Sequence, residues 1–274
     1  MTTLPISGTR DGALGEAHSG SLTSSGVPPS NQLIDPKRLG RIFGWLFIGT
    51  FITSIPARIL FVKGVGASWS DMHFVPGAGS ATSLHLGAVL EFGLIIFNIA
   101  TAVVIYPLVK RQSGAVALGY VAARIIESVF TAIGLMSIVS VLSVNEALVG
   151  TTGGQATALA AQGSSLVHTY EWAFLFGPGL VVGFGNGLML GYLMFRSGLV
   201  PRGMAMLGLL GGPLLILSFV LILFGAYKNG SGPASLIALP EIAWELSLGI
   251  YAAWRGFRPS PISEPHMTAS LPSR

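Results

Sequence analysis

The chain contains no cysteine. Disulfides, thiol catalysis, iron–sulfur clusters and cysteine-ligated zinc are therefore excluded. Charge is scarce as well. Asp, Glu, Lys and Arg make up 9% of the residues, against about 25% in an average soluble protein. With 51% hydrophobic residues and a mean hydropathy of +0.70, the chain lacks the polar material to coat a soluble fold. A polytopic membrane protein is the class that remains. Phosphate-binding loops and His-Glu-x-x-His zinc motifs are also missing. The segment Gly177-Pro-Gly179-Leu-Val-Val-Gly183 superficially resembles a dinucleotide fingerprint. That fingerprint needs a preceding strand and a soluble phosphate crevice, and a bilayer offers neither. Nothing in the sequence calls for a cofactor.

What is present is apolar length. Six runs, roughly 42–62, 86–109, 114–142, 172–195, 203–224 and 234–254, each match a hydrocarbon core about 30 Å thick at about 1.5 Å per residue. The expected fold is an all-α, six-helix transmembrane bundle over 37–258. Tails at 1–36 and 259–274 are expected to be disordered, since the first is rich in Ser, Gly, Thr and Pro and has no apolar periodicity. It is not a signal peptide, because no apolar core follows a basic start.

Six crossings put both termini on one side. Lys37, Arg38, Arg41, Lys110, Arg111, Arg196, Arg202, Arg255 and Arg258 flank one end of the runs, whereas the opposite loops offer Lys63 and Lys228. The positive-inside rule then places both termini in the cytoplasm of a plasma-membrane protein. The net charge of +4 reads as topology in the lipid bilayer, ahead of nucleic-acid or lipid-specific binding. The cytoplasmic connections are tight. Two external ones, 63–84 and 143–167, are long, and 155–162 is suited to a short helix. Long loops tend to cover or shape sites.

Glycine reaches 37 residues. Gly179, Gly183, Gly187 and Gly191 recur every fourth residue in the fourth run. They form a smooth face for close packing, either within the chain or to a second copy in a homo-oligomer. Pro56, Pro178, Pro213 and Pro240 fall in or at the ends of runs, and an interior proline is expected to kink its helix.

The polar residues within the runs carry the functional signal. Ionisable groups at membrane depth are costly and usually meet a partner, a water-filled cavity or a site. Arg124 lies ten residues into the third run, about 15 Å deep and near the midplane. Glu127 shares its helix face, as do Glu241 and Glu245 with each other. Glu91 and Asn98 share a face of the second run, seven residues apart. By helix rise, Glu91, Glu127 and Glu241 fall in one layer, with Glu171 and Arg58 a little higher. His85 and His168 sit at the outer mouths of the second and fourth runs and form a candidate, if sparse, metal or haem pair. Two arginines face five glutamates in this layer. The excess negative charge must be met by protons, water or a bound cation. One or more of the glutamates is thus a candidate proton-exchanging group.

Several stretches carry a family resemblance. Trp172-Ala-Phe-Leu-Phe-Gly-Pro-Gly179, the segment from Gly185-Asn-Gly187 to Val200-Pro-Arg202, Pro240-Glu-Ile-Ala-Trp-Glu245 through Gly249, Leu118-Gly-Tyr-Val-Ala-Ala-Arg-Ile-Ile-Glu127 and the start at 41–56 resemble the bacterial domain-of-unknown-function 4386 family. The resemblance covers roughly 38–257. It implies a multi-pass bacterial membrane protein and no established activity. Members often carry a His-Asp pair just before the tryptophan of the fourth run. The matching positions here hold Tyr170-Glu171, with His168 nearby.

Three readings follow. In the first, an outward-opening acidic pocket binds or transports a cation, protons or a small amphiphile, with Arg124 holding the geometry of Glu91, Glu127, Glu241 and Glu245. In the second, an intramembrane enzyme uses a protonated glutamate or a His/Glu metal site. In the third, the bundle is a scaffold whose polar layer fixes the fold. A cavity beside Arg124 separates the first from the third.

Overall fold

The computed structural model describes residues 35–69 and 71–263. Within them, six helices are long and apolar enough to cross a membrane: α1 (Pro36–Gly64), α2 (Ala81–Val109), α3 (Gly114–Leu148), α4 (Gly153–Ser197), α5 (Arg202–Leu223) and α6 (Gly232–Arg255). Local sequence sets several starts. The Asp35 carboxylate accepts from the Lys37 amide at 2.9 Å, and Pro36 opens α1, where its missing N–H costs nothing. Ser80 and Ser113 hydroxyls cap α2 and α3 in the same way. Pro233 opens α6. Large apolar side chains such as Ile52, Val89, Met136 and Leu236 point outward and stay exposed, as a lipid-facing surface requires.

Each helix packs on its sequence neighbours, and α6 closes on α1 to complete a ring. Glycine makes that closure close. A methyl on Gly44 would collide with the Ala253 backbone, and one on Gly40 with Phe257. Two apolar cores fill the ends of the ring. One, at the tight-turn end, joins Phe43, Phe47, Ile105, Tyr120, Leu193, Trp244 and Phe257. The other, at the long-loop end, joins Phe61, Met72, Phe74, Ile138, Val167 and Tyr170. Between them lies the polar belt.

The connections differ from the sequence reading in one respect. The expected long loop at 143–167 is mostly helix: α3 runs to Leu148, α4 starts at Gly153, and only a short turn separates them. Falling hydropathy there marks the exit from the bilayer, while the alanine-rich 155–162 segment keeps the helix going. At 45 residues, α4 is about 68 Å long and far exceeds the hydrocarbon core. Its projecting end gives the 65–80 loop a wall to lie on. Phe74 sits against Gly163, where a methyl would overlap its ring, and Met72 is buried beside it.

Beyond α6 the chain stays attached. The Arg258 amide donates to the Leu199 carbonyl, and Pro261–Ser263 forms a 3-10 turn near α2. Order therefore extends past the expected boundary at 258. The rest of the two expected tails, 1–34 and 264–274, lies outside the described residues.

Within α4, Leu175–Val181 and Gly183–Leu190 are wound as π-helix. Pro178 cannot donate to the carbonyl four residues earlier, and the surrounding glycines tolerate the wider turn. They also let α4 wedge between two neighbours. Gly177 and Gly185 meet α3 at Phe130 and Ala123, whereas Gly183, Gly187 and Gly191 meet α5 at Gly212, Ile216 and Leu209. Three of the four glycines spaced by four are thus packed inside the chain against α5, the first of the two packing modes that the spacing allows. Gly179 departs from that face and lines a cavity instead.

Candidate functional site

Arg124 lies at the centre of the belt and is almost wholly buried. Its Nη1 donates to Glu127 Oε2 at 2.7 Å and its Nη2 to Asn98 Oδ1 at 2.7 Å. Asn98 Nδ2 closes the cycle by donating to Glu127 Oε1 at 3.0 Å. The Thr101 hydroxyl and the Asn98 carbonyl add weaker contacts at 3.3 and 3.4 Å. The guanidinium also lies 5.7 Å from the Phe47 ring centroid. Both Glu127 oxygens and the Asn98 amide are engaged, so this triad is electrically and sterically closed. It ties α2 to α3.

Arg58 forms a second clasp nearer the long-loop end. It pairs with Glu171, and the other Glu171 oxygen accepts from Asn229 at 3.3 Å. Three aromatic rings surround the guanidinium, with centroids at 5.2 Å (Phe174), 5.4 Å (Tyr170) and 6.0 Å (Trp69). Such rings stabilise a cation through their quadrupoles where water is thin. The clasp draws together α1, α4, the 65–80 loop and the turn after α5.

Two cavities open beside these clasps. One, of about 360 Å³, lies among α4, α5 and α6 and includes Pro178, Gly179, Ser218, Glu241 and Glu245 in its walls. The other, of about 310 Å³, lies among α1, α2, α3, α4 and α6 and includes Glu91, Asn98, Arg124, Glu127 and Asn186. Arg58, Trp69, Phe174, Pro178, Val182, Ile242 and Glu245 line both, so the chambers adjoin along a shared wall. Most of each wall is apolar.

Among the described residues, three carboxyl groups of the belt form no ion pair. Glu91 is buried and faces the smaller chamber, with no hydrogen bond or ion pair to the described residues. Glu245 stands at the junction and accepts from Asn186 Nδ2. Glu241 is buried, and neither of its oxygens has a hydrogen-bond partner. A charged carboxylate in this setting costs several kcal/mol unless something meets it. The five-to-two imbalance read from the sequence thus resolves into two neutralised pairs and three unmet acids.

A family model described as a domain of unknown function, DUF4386, matches residues 42–256. The chain belongs to this family. No curated protein and no solved structure matches the chain. The DUF4386 match begins inside α1 and ends one residue past α6, so both clasps, both chambers and all three unmet acids lie within the family domain.

The structure brings Arg124, Glu127 and Asn98 together, and Arg58 with Glu171. It separates Glu91 and Glu241, which helix rise placed in one layer, into different chambers. Depth along a helix says nothing about which way a side chain faces around the ring. Arg124 organises Glu127 and Asn98, not the acids of α6. His85 and His168 are both exposed and line neither cavity. Among the described residues no group of three or more His, Asp or Glu side chains is placed to hold a metal. Asn186, Trp69, Tyr170 and Asn229 are site residues that the sequence reading passed over. Asn186 carried a signal, as a lone amide between Gly185 and Gly187 in an apolar run. The aromatic lining carried none, because tyrosine and tryptophan at helix ends ordinarily mark the interface.

Proposed function

We propose that this bundle binds a small amphiphile with a cationic head, as a carrier or receptor of such molecules. The head meets Glu91 and Glu245, and the apolar body lies along Phe174, Val182 and Ile242. The observation that carries this reading is the pair of adjoining, mainly apolar cavities into which acids without basic partners face. A polar layer serving only to fix the fold would leave its carboxyls paired and its interior filled. Pockets of roughly 300–1,000 Å³ with few convergent polar groups are typical of small-molecule sites. Basic residues cluster at the tight-turn end. That supports cytoplasmic termini in a plasma membrane, with the chambers opening outward through the Arg58–Glu171 clasp.

Trp69 lines both chambers and supplies the readout. In lipid nanodiscs, a medium-chain alkylammonium should change Trp69 fluorescence saturably, and the change should vanish in Trp69→Phe. The matched alkanol should bind at least about tenfold more weakly, since it lacks the charge that meets a buried carboxylate. Glu91→Gln and Glu245→Gln should lower ammonium affinity by a similar factor. Equal binding of ammonium and alkanol, or undiminished affinity in the double variant, would rule the reading out.

A further inference from the structure

We propose that Glu241, Glu245 and Asn186 form a monovalent-cation site of sodium size, set into the wall between α4, α5 and α6. It shares Glu245 with the proposed amphiphile site, while Glu241 and Asn186 belong to the cation site alone.

The first observation is an unmatched set of acceptors. Both Glu241 oxygens and the Oδ1 of Asn186 are buried without a hydrogen-bond partner among the described residues. Glu241 and Asn186 are 2% and 1% exposed, so neither turns to solvent for compensation. All three orphaned atoms are acceptors. Missing donors could be supplied by a single proton, but one proton satisfies one acceptor. A bare hard cation gathers several oxygens at once.

The second observation is the shape of the place. A methyl on Gly211 would lie 2.6 Å from Glu241 Oε2, and one on Gly187 would lie 2.9 Å from it. Two glycines, from α5 and α4, thus leave the carboxyl a recess that any other residue would fill. Asn186 adjoins Gly187 in the chain, and its Nδ2 is bonded to Glu245, which shares a helix face with Glu241 four residues before it. The π-helical winding of Gly183–Leu190 fits this use. Departures from regular helix at membrane depth are tolerated where they line a cavity or an ion site.

Charge selects the valence. Arg124 and Glu127 cancel each other in the adjacent triad. Asn186 gives Glu245 a donor, while Glu241 has none. No third acid or histidine joins them among the described residues, which is too few hard ligands for a divalent ion. Two carboxyls remain, so the recess lacks two positive charges, which one proton and one monovalent cation supply together. The larger chamber, with Glu241 and Glu245 in its wall, provides the entry path.

The test uses full-length protein in zwitterionic nanodiscs and ²²Na⁺ in a scintillation proximity assay. We expect one saturable site per chain, displaced by unlabelled Na⁺ and not by choline. Glu241→Gln and Asn186→Leu should each weaken binding by about tenfold or more, an oxygen ligand or its charge being lost. If either variant fails to fold, the wild-type thermal midpoint decides. It should rise saturably as NaCl replaces choline chloride at fixed ionic strength, by linkage to the folded state. Three results would overturn the proposal: no saturable ²²Na⁺ binding, equal stabilisation by choline, or a folded Glu241→Gln variant that binds Na⁺ undiminished. Stabilisation by acidification with no effect of Na⁺ would also overturn it, by assigning the recess to a proton alone.

Discussion

At the scale of residues, the distinction that matters is between charges that are closed and charges that are open. Arg124, Glu127 and Asn98 satisfy one another through contacts of 2.7–3.0 Å. Removing one partner leaves the other buried and unmet, which costs more than the pair contributes. Arg124→Leu should therefore destabilise the protein by about 3–5 kcal/mol, and Asn98→Leu by about 1–3 kcal/mol. The double variant Arg124→Leu/Glu127→Leu should be less damaged than Arg124→Leu alone, because it leaves no stranded carboxylate. Denaturation in mixed micelles would measure all three. A double variant no more stable than Arg124→Leu alone would contradict the closed-triad description. Glu91, Glu241 and Glu245 belong to the other group. Their environment stabilises nothing by itself, so their substitution should weaken ligand binding more than folding.

At the scale of elements, α4 does most to shape the site, and glycine lets it do so. The α4–α5 crossing brings backbone to backbone, so that a methyl on Gly212 would lie 3.0 Å from Gly187 Cα and 2.5 Å from the Gly183 carbonyl oxygen. Gly203, near the start of α5, has open space around it. Two effects compete when such glycines become alanine. Helix propensity favours alanine by about 1 kcal/mol. Overpacking costs about 1–3 kcal/mol. Propensity should win at Gly203 and clash at Gly212. Thermal unfolding of Gly203→Ala should match or exceed wild type, while Gly212→Ala should fall below it. Equal midpoints would mean that the α4–α5 crossing is looser than the backbone distances indicate. Around Pro178, α4 has two stretches of wide winding, and Pro178 and Asn186 within them line the chamber walls.

At the scale of the molecule, six helices form a ring with apolar ends and a polar waist. Its orientation in the membrane is a matter of charge. The absence of cysteine makes the test simple, since single-cysteine variants need no background removal. Ala78→Cys and Thr152→Cys should react with a membrane-impermeant maleimide in intact cells. Gln112→Cys should react only after permeabilisation. The reverse pattern would invert the topology and turn the chambers toward the cytoplasm.

The sequence alone determined the class, the number of crossings, the family and the presence of a charged layer at mid-depth. These follow from length, hydropathy and residue type, which act locally and add along the chain. It also exposed Arg124 and Glu127 as partners, because residues three apart on a helix must share a face. What only the tertiary structure decided is how six helices are rotated about their own axes in the ring. That rotation sends Glu91 and Glu241 to different chambers, makes Asn98 the third member of the triad and leaves His85 and His168 exposed. It also covers the glycine face with α5. Rotation is set by contacts between residues distant in sequence, such as Gly44 with Ala253 or Gly187 with Gly212, and no local period records which partner will fill a given groove.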